Sequence, residues 1–171
     1  YDAYKIRGLR QTHQPSPWIG DYAAFSLLPL TGKPVFQEEE RASWFSHKAE
    51  TTLPHYYSVY LADYDVQAEM TPTDRAVMMR FTFPETDSAW IVLDAFNGGS
   101  MVEIFPDERK IIGYCRNNRG GVPGNFYNHF VAVFDKDFEL NYTWRDSTLT
   151  QKETLEAEHV GALIGFATEK G

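Results

Sequence analysis

The chain has 171 residues, enough for one domain with a real core and too few for two. Its formal charge of −8 argues against a grip on nucleic-acid phosphates, which needs clustered Lys and Arg, and no run of ~18 apolar residues offers a helical membrane span. Disorder is excluded as well, because 43% apolar content with 4 Trp, 10 Tyr and 12 Phe can build a core.

In chain order, the opening YDAYKIRGLR has neither an initiator Met nor an apolar stretch of signal-peptide length. The chain is therefore expected to be trimmed or incomplete. Residues 8–55 hold most of the prolines, two Trp and three of the five His, with little regular period. They read as long loops over a sheet. From there the dominant period is two. Runs over 57–61, 66–70, 76–83, 89–93, 101–105, 110–115, 130–134, 138–144 and 160–167 are short and rich in β-branched or aromatic residues. Turn chemistry separates them, including Asp63-Tyr64-Asp65, Asn97-Gly98-Gly99 and Asp135-Lys136-Asp137. About nine such strands predict an antiparallel β-sandwich or barrel, most of whose strands keep one face wet. Residues 151–158 (QKETLEAE) have good helix formers but one apolar anchor, Leu155, so a short helix and a strand or hairpin extension both remain open. The whole chain, 1–171, reads as a single domain.

Three clusters offer chemistry. Arg10 to Tyr22 gathers Arg10, Gln14, His13, Trp18, Asp21 and Tyr22 around two prolines. A stiff polar-aromatic loop of this kind suits a sugar: the Trp face covers the apolar side of a pyranose while polar side chains reach its hydroxyls. The competing reading, favoured by composition alone, is a proline-rich lead-in loop whose Trp18 plugs the sandwich. The second cluster, Trp44 to Glu50, holds Ser46 next to His47. Neighbours in an extended segment point to opposite faces, so a loop that packs its aromatics is preferred to a nucleophile and base. The third, Arg116 to Asn125, is a glycine- and asparagine-rich loop long enough to cover a ligand, with Asn117 its first candidate, or else a plain hairpin connection. It lacks the nucleotide-binding glycine patterns. No Asp or Glu declares itself as a glycosidase acid or base, and the five His lack zinc-site spacing. Cys115 stands alone and excludes an intrachain disulfide framework.

Three blocks carry a family resemblance. Residues 8–22 (GLRQTHQPSPWIGDY), Phe45 to Glu50 with Pro54 to Leu61, and Ala68 to Arg75 with Arg80 to Pro84 resemble, in register, patterns of glycoside hydrolase family 92. The departure is Ala23-Ala24, where relatives more often show a Gly after the Tyr. The resemblance implies an N-terminal β-sandwich of the supersandwich, galactose-mutarotase-like type, here incomplete at its N-terminus. It implies a parent enzyme that is a calcium-dependent, inverting exo-α-mannosidase, typically α-1,2, acting on mannose-containing glycans. General acid, base and most calcium ligands are then expected in an α/α toroid absent from this sequence, so catalytic and metal residues are assigned to none of these positions. Substrate contact falls to His13, Gln14 and Trp18, with Arg10 and Asn117 as weaker candidates. The resemblance also implies a periplasmic or secreted enzyme of N-glycan or mannan degradation. An incomplete sandwich is expected to self-associate through exposed edges. The alternative is a carbohydrate-binding or structural sandwich with no hydrolase attached.

Overall fold

The computed structural model describes residues 4–10, 25–118 and 123–169. In chain order the strands are β1 (Lys5–Ile6), β2 (Ser26–Thr31), β3 (Ser43–Trp44), β4 (Thr51–Leu53), β5 (Tyr56–Leu61), β6 (Val66–Pro72), β7 (Val77–Thr82) and β8 (Thr86–Asp94). They continue with β9 (Ser100–Phe105), β10 (Lys110–Cys115), β11 (Asn128–Val133), β12 (Leu140–Arg145), β13 (Thr148–Thr150), β14 (Thr154–Ala157) and β15 (Val160–Thr168). Two 3-10 turns, His47–Ala49 and Pro106–Glu108, are the helical elements among the described residues. All ladders are antiparallel, as the period-two runs predict.

The strands form a three-layered β-sandwich. A five-stranded sheet, β13-β12-β15-β8-β2, lies between two four-stranded sheets, β4-β5-β6-β7 and β11-β10-β9-β14. Alternate residues of the middle sheet supply two separate cores. Leu28, Leu30, Trp90, Val92 and Leu163 meet Val59, Leu61, Val66 and Ala68 on one side. Leu27, Ile91, Leu93, Ala162 and Ile164 meet Val102, Ile104, Ile111 and Phe130 on the other. Each fully buried aliphatic side chain contributes about 1.5–3 kcal/mol, so both faces of the middle sheet stabilise the fold. The flanking strands β7 and β9 alternate between buried and wetter positions as expected. Strands β8 and β15 do not: from Ala89 to Asp94 and from Val160 to Phe166 every residue is buried. Their unbroken apolar runs are the mark of a strand covered on both faces.

The first third of the chain is less loop-like than its composition suggests. Within 8–55, β2 is a core strand on the edge of the middle sheet, paired with β8 from Ser26↔Asp94 to Thr31↔Ala89. Its run is interrupted by Pro29, which a central strand would not tolerate. Leu27 exchanges both backbone hydrogen bonds with Leu9, at 2.8 and 2.9 Å, so odd-numbered residues of β2 turn their backbone away from β8. The N–H that Pro29 lacks therefore falls on the outer edge. At 151–158 the strand reading holds: Thr154 to Ala157 is β14, paired with Glu103 to Ser100 of β9. Gly161 and Gly113 are close-approach positions rather than turns. A Cβ at Gly161 would lie 2.1 Å from the Leu93 carbonyl oxygen and 2.3 Å from Cζ2 of Trp144.

Candidate functional site

One end of the middle sheet gathers several of the links between strands. Strand β8 finishes there at Asp94 and β15 begins there at Val160, so links 95–99 and 158–159 lie at that end. The start of β2 pairs with Asp94, and Leu9 bridges Leu27, so Arg10 and Phe25 flank the same end. Cys115 pairs with Ser100 and with Asn128, which brings both arms of the 116–127 connection alongside.

A buried polar network holds this end together. The Arg41 guanidinium and the Asp94 carboxylate, each with 1% of its side chain exposed, meet at 2.6 Å. Arg41 also donates from Nε to the Arg7 carbonyl at 2.9 Å and from Nη1 to the Phe36 carbonyl at 2.6 Å. The other Asp94 oxygen, Oδ1, accepts the Phe96 N–H at 2.9 Å and meets His159 Nε2 at 2.7 Å. Burial pushes the Asp94 carboxyl up, but the His159 hydrogen bond and the Arg41 charge more than offset it and hold Asp94 below its ordinary value. It is a permanent acceptor at neutral pH. The His159 ring stands edge-on to Trp144, 5.1 Å between centroids.

Backbone strain sits at the same place. Phe96 has φ 58, a left-handed conformation that costs a non-glycine residue roughly 1–2 kcal/mol. The Asp94 bond to its N–H fixes it there, and the Arg10 guanidinium lies 5.9 Å over its ring. Beside it, Gly98 has φ 93, and a Cβ would approach the Asn117 backbone to 3.3 Å. Only a residue without a side chain lets the two links run this close.

Of the five predicted contact residues, Arg10 and Asn117 are brought to this end. Arg10 is exposed, and its guanidinium lies over the Phe96 ring. Asn117 is half-buried; its backbone N–H points at Cys115 Sγ, 3.3 Å away, and its side-chain amide donates to the Asn97 side-chain carbonyl. His13, Gln14 and Trp18 lie outside the described residues, within the segment that Arg10 and Phe25 bracket. Arg41, Asp94 and His159 were not foreseen, because they are far apart in sequence and carry no local pattern.

The Ser46-His47 pair resolves into separate roles. Ser46 Oγ accepts the Lys48 N–H at 3.3 Å and caps the short 3-10 turn. His47 Nδ1 meets Glu50 Oε2 at 2.7 Å. Burial, then the hydrogen bond to Glu50, raises the Tyr57 hydroxyl well above its ordinary pKa, so Glu50 ties the turn to β5. Among the described residues no three His, Cys, Asp or Glu side chains converge as a metal cluster.

The described residues define an all-β sandwich domain. The chain belongs to glycosyl hydrolase family 92, as its N-terminal domain, whose model matches residues 1–171. The family GH92 inverting mannosidase BT2199 of Bacteroides thetaiotaomicron VPI-5482 is similar at 38% identity and TM-score 0.92, over 98% of this chain and 23% of that one. The family GH92 alpha-mannosidase BT3965 of Bacteroides thetaiotaomicron shares the fold at 24% identity and TM-score 0.72, over 91% of this chain and 25% of its own. The gh92 family glycosyl hydrolase ccman5 does so at 20% identity and TM-score 0.74, over 97% and 24%. No curated protein matches the sequence significantly. The chain spans about a quarter of the length of these solved relatives.

Proposed function

We propose that this chain is the substrate-positioning domain of a longer, inverting exo-α-mannosidase, most simply α-1,2, acting on mannose-containing oligosaccharides. One observation carries the reading: in a domain of this family, Arg10, Phe25, Asn97, Asn117 and His159 all stand at a single end of the middle sheet. That end brackets the segment holding His13, Gln14 and Trp18. The similarity to an inverting mannosidase supports the stereochemistry. Inversion needs an acid and a base on opposite faces of the sugar, roughly 6.5–9.5 Å apart. Both carboxylates, with the calcium that would support them, are assigned to the remainder of the enzyme. Export to the periplasm or beyond fits a glycan substrate. The exposed Val131 and Val133 on edge strand β11 fit self-association of the isolated chain.

The test is His13→Ala in the longer enzyme. Losing one hydrogen bond to a neutral hydroxyl, and leaving its partner unpaired, lowers kcat/KM on an α-mannoside roughly tenfold with the melting temperature unchanged. Wild-type kinetics, or a lowered melting temperature alone, would return the loop to a structural role.

A further inference from the structure

We propose that His159 is a sugar-binding residue, whose Nδ1 is set in advance to hydrogen-bond one mannose hydroxyl; this rests on the function proposed above. Asp94 Oδ1 lies 2.7 Å from Nε2, and an ionised carboxylate can only accept, so Nε2 carries a proton. That leaves Nδ1 for a hydroxyl, which can donate to the neutral ring or accept from the imidazolium. Asp94 cannot turn to another partner. Arg41 grips its second oxygen, and Phe96 N–H shares the first. The imidazole is further fixed by its T-shaped contact with Trp144, itself 2% exposed and packed against Phe36 at 5.4 Å. Yet the His159 side chain keeps 34% of its surface open, and no partner for Nδ1 exists among the described residues. A ring held in one orientation in this way loses little freedom when a ligand binds.

His159 also lies at the end of the middle sheet to which the proposed function assigns the sugar. It is in the two-residue link between β14 and β15, and β15 starts beside Asp94 and the Phe96 turn on which Arg10 rests. A neighbouring link donates Gly98 N–H to Glu158 Oε1 at 3.0 Å, which pins that corner. The ligand class is a neutral polyol, whose hydroxyl can donate or accept. An anion would face Asp94 and Glu158.

The experiment is a substitution crossed with substrate analogues in the longer enzyme. His159→Gln keeps an N–H donor for Asp94 and removes the ring nitrogen Nδ1 from its fixed position. With the parent α-mannoside kcat/KM should fall roughly two- to tenfold, while the melting temperature stays near wild type. Across a set of monodeoxy-mannosides the loss should vanish for the one analogue that lacks the partner hydroxyl, since wild type and variant then miss the same bond. An equal loss on every analogue, or none on the parent, overturns the assignment and leaves the proposed function standing if His13→Ala still lowers kcat/KM. Absence of α-mannoside turnover by the wild-type enzyme overturns both.

Discussion

Arg41→Met should destabilise the domain by about 3–5 kcal/mol at neutral pH, measured by urea unfolding. Methionine roughly fills the space, so the loss comes from the charge left behind. Asp94 is 1% exposed and would keep only His159 and the Phe96 N–H as partners. The carbonyls of Arg7 and Phe36 would lose their donors too. Adding Asp94→Asn should recover part of the loss, because a neutral amide needs no counter-charge. Acid provides a second view of the same pair. Asp94 is held below its ordinary pKa, so its contribution is present above the unfolded value of ~3.9 and is lost as pH falls below that towards the folded value. Without Arg41 that loss should begin at higher pH. A single-variant cost below about 1 kcal/mol would mean that the pair is decoration.

Trp144→Ala should cost about 3–5 kcal/mol, as expected for deleting a fully buried indole. The ring lies against Phe36 and His159 and occupies the space that Gly161 leaves open. Trp144→Phe should cost clearly less. The indole Nε1 is buried without a hydrogen-bond partner among the described residues, so removing it forfeits no bond. Equal costs for Ala and Phe would point to an unseen partner of Nε1. If His159 depends on this wall, Trp144→Ala should also weaken mannoside turnover beyond what its melting temperature explains.

The nine period-two runs were legible because each buries one face, or both, against a neighbour, and that leaves a local signature. Strand β2 was hidden by Pro29, which reads as a breaker until the outer edge of the sheet is known. The choice at 151–158 was undecided because Leu155 is a single anchor, and the partner that settles it, Val102, is remote in sequence. Site legibility divides the same way. Arg10 and Asn117 were singled out from loop composition, and the fold sets them beside Phe96 and Asn97. Arg41, Asp94 and His159 were not, because 53 residues separate the first two and 65 the last two. A buried network of single residues has no spacing to read; only the fold assembles it.

Whether sugar is held at the Asp94 end of the middle sheet is tested most directly by a crystal structure of the longer enzyme with an uncleaved α-mannoside. The predicted result is a mannose ring with polar contacts at the 10–25 segment and a hydroxyl within ~3.2 Å of His159 Nδ1. A sugar bound elsewhere, with this end of the sandwich packed against protein and out of its reach, would contradict it.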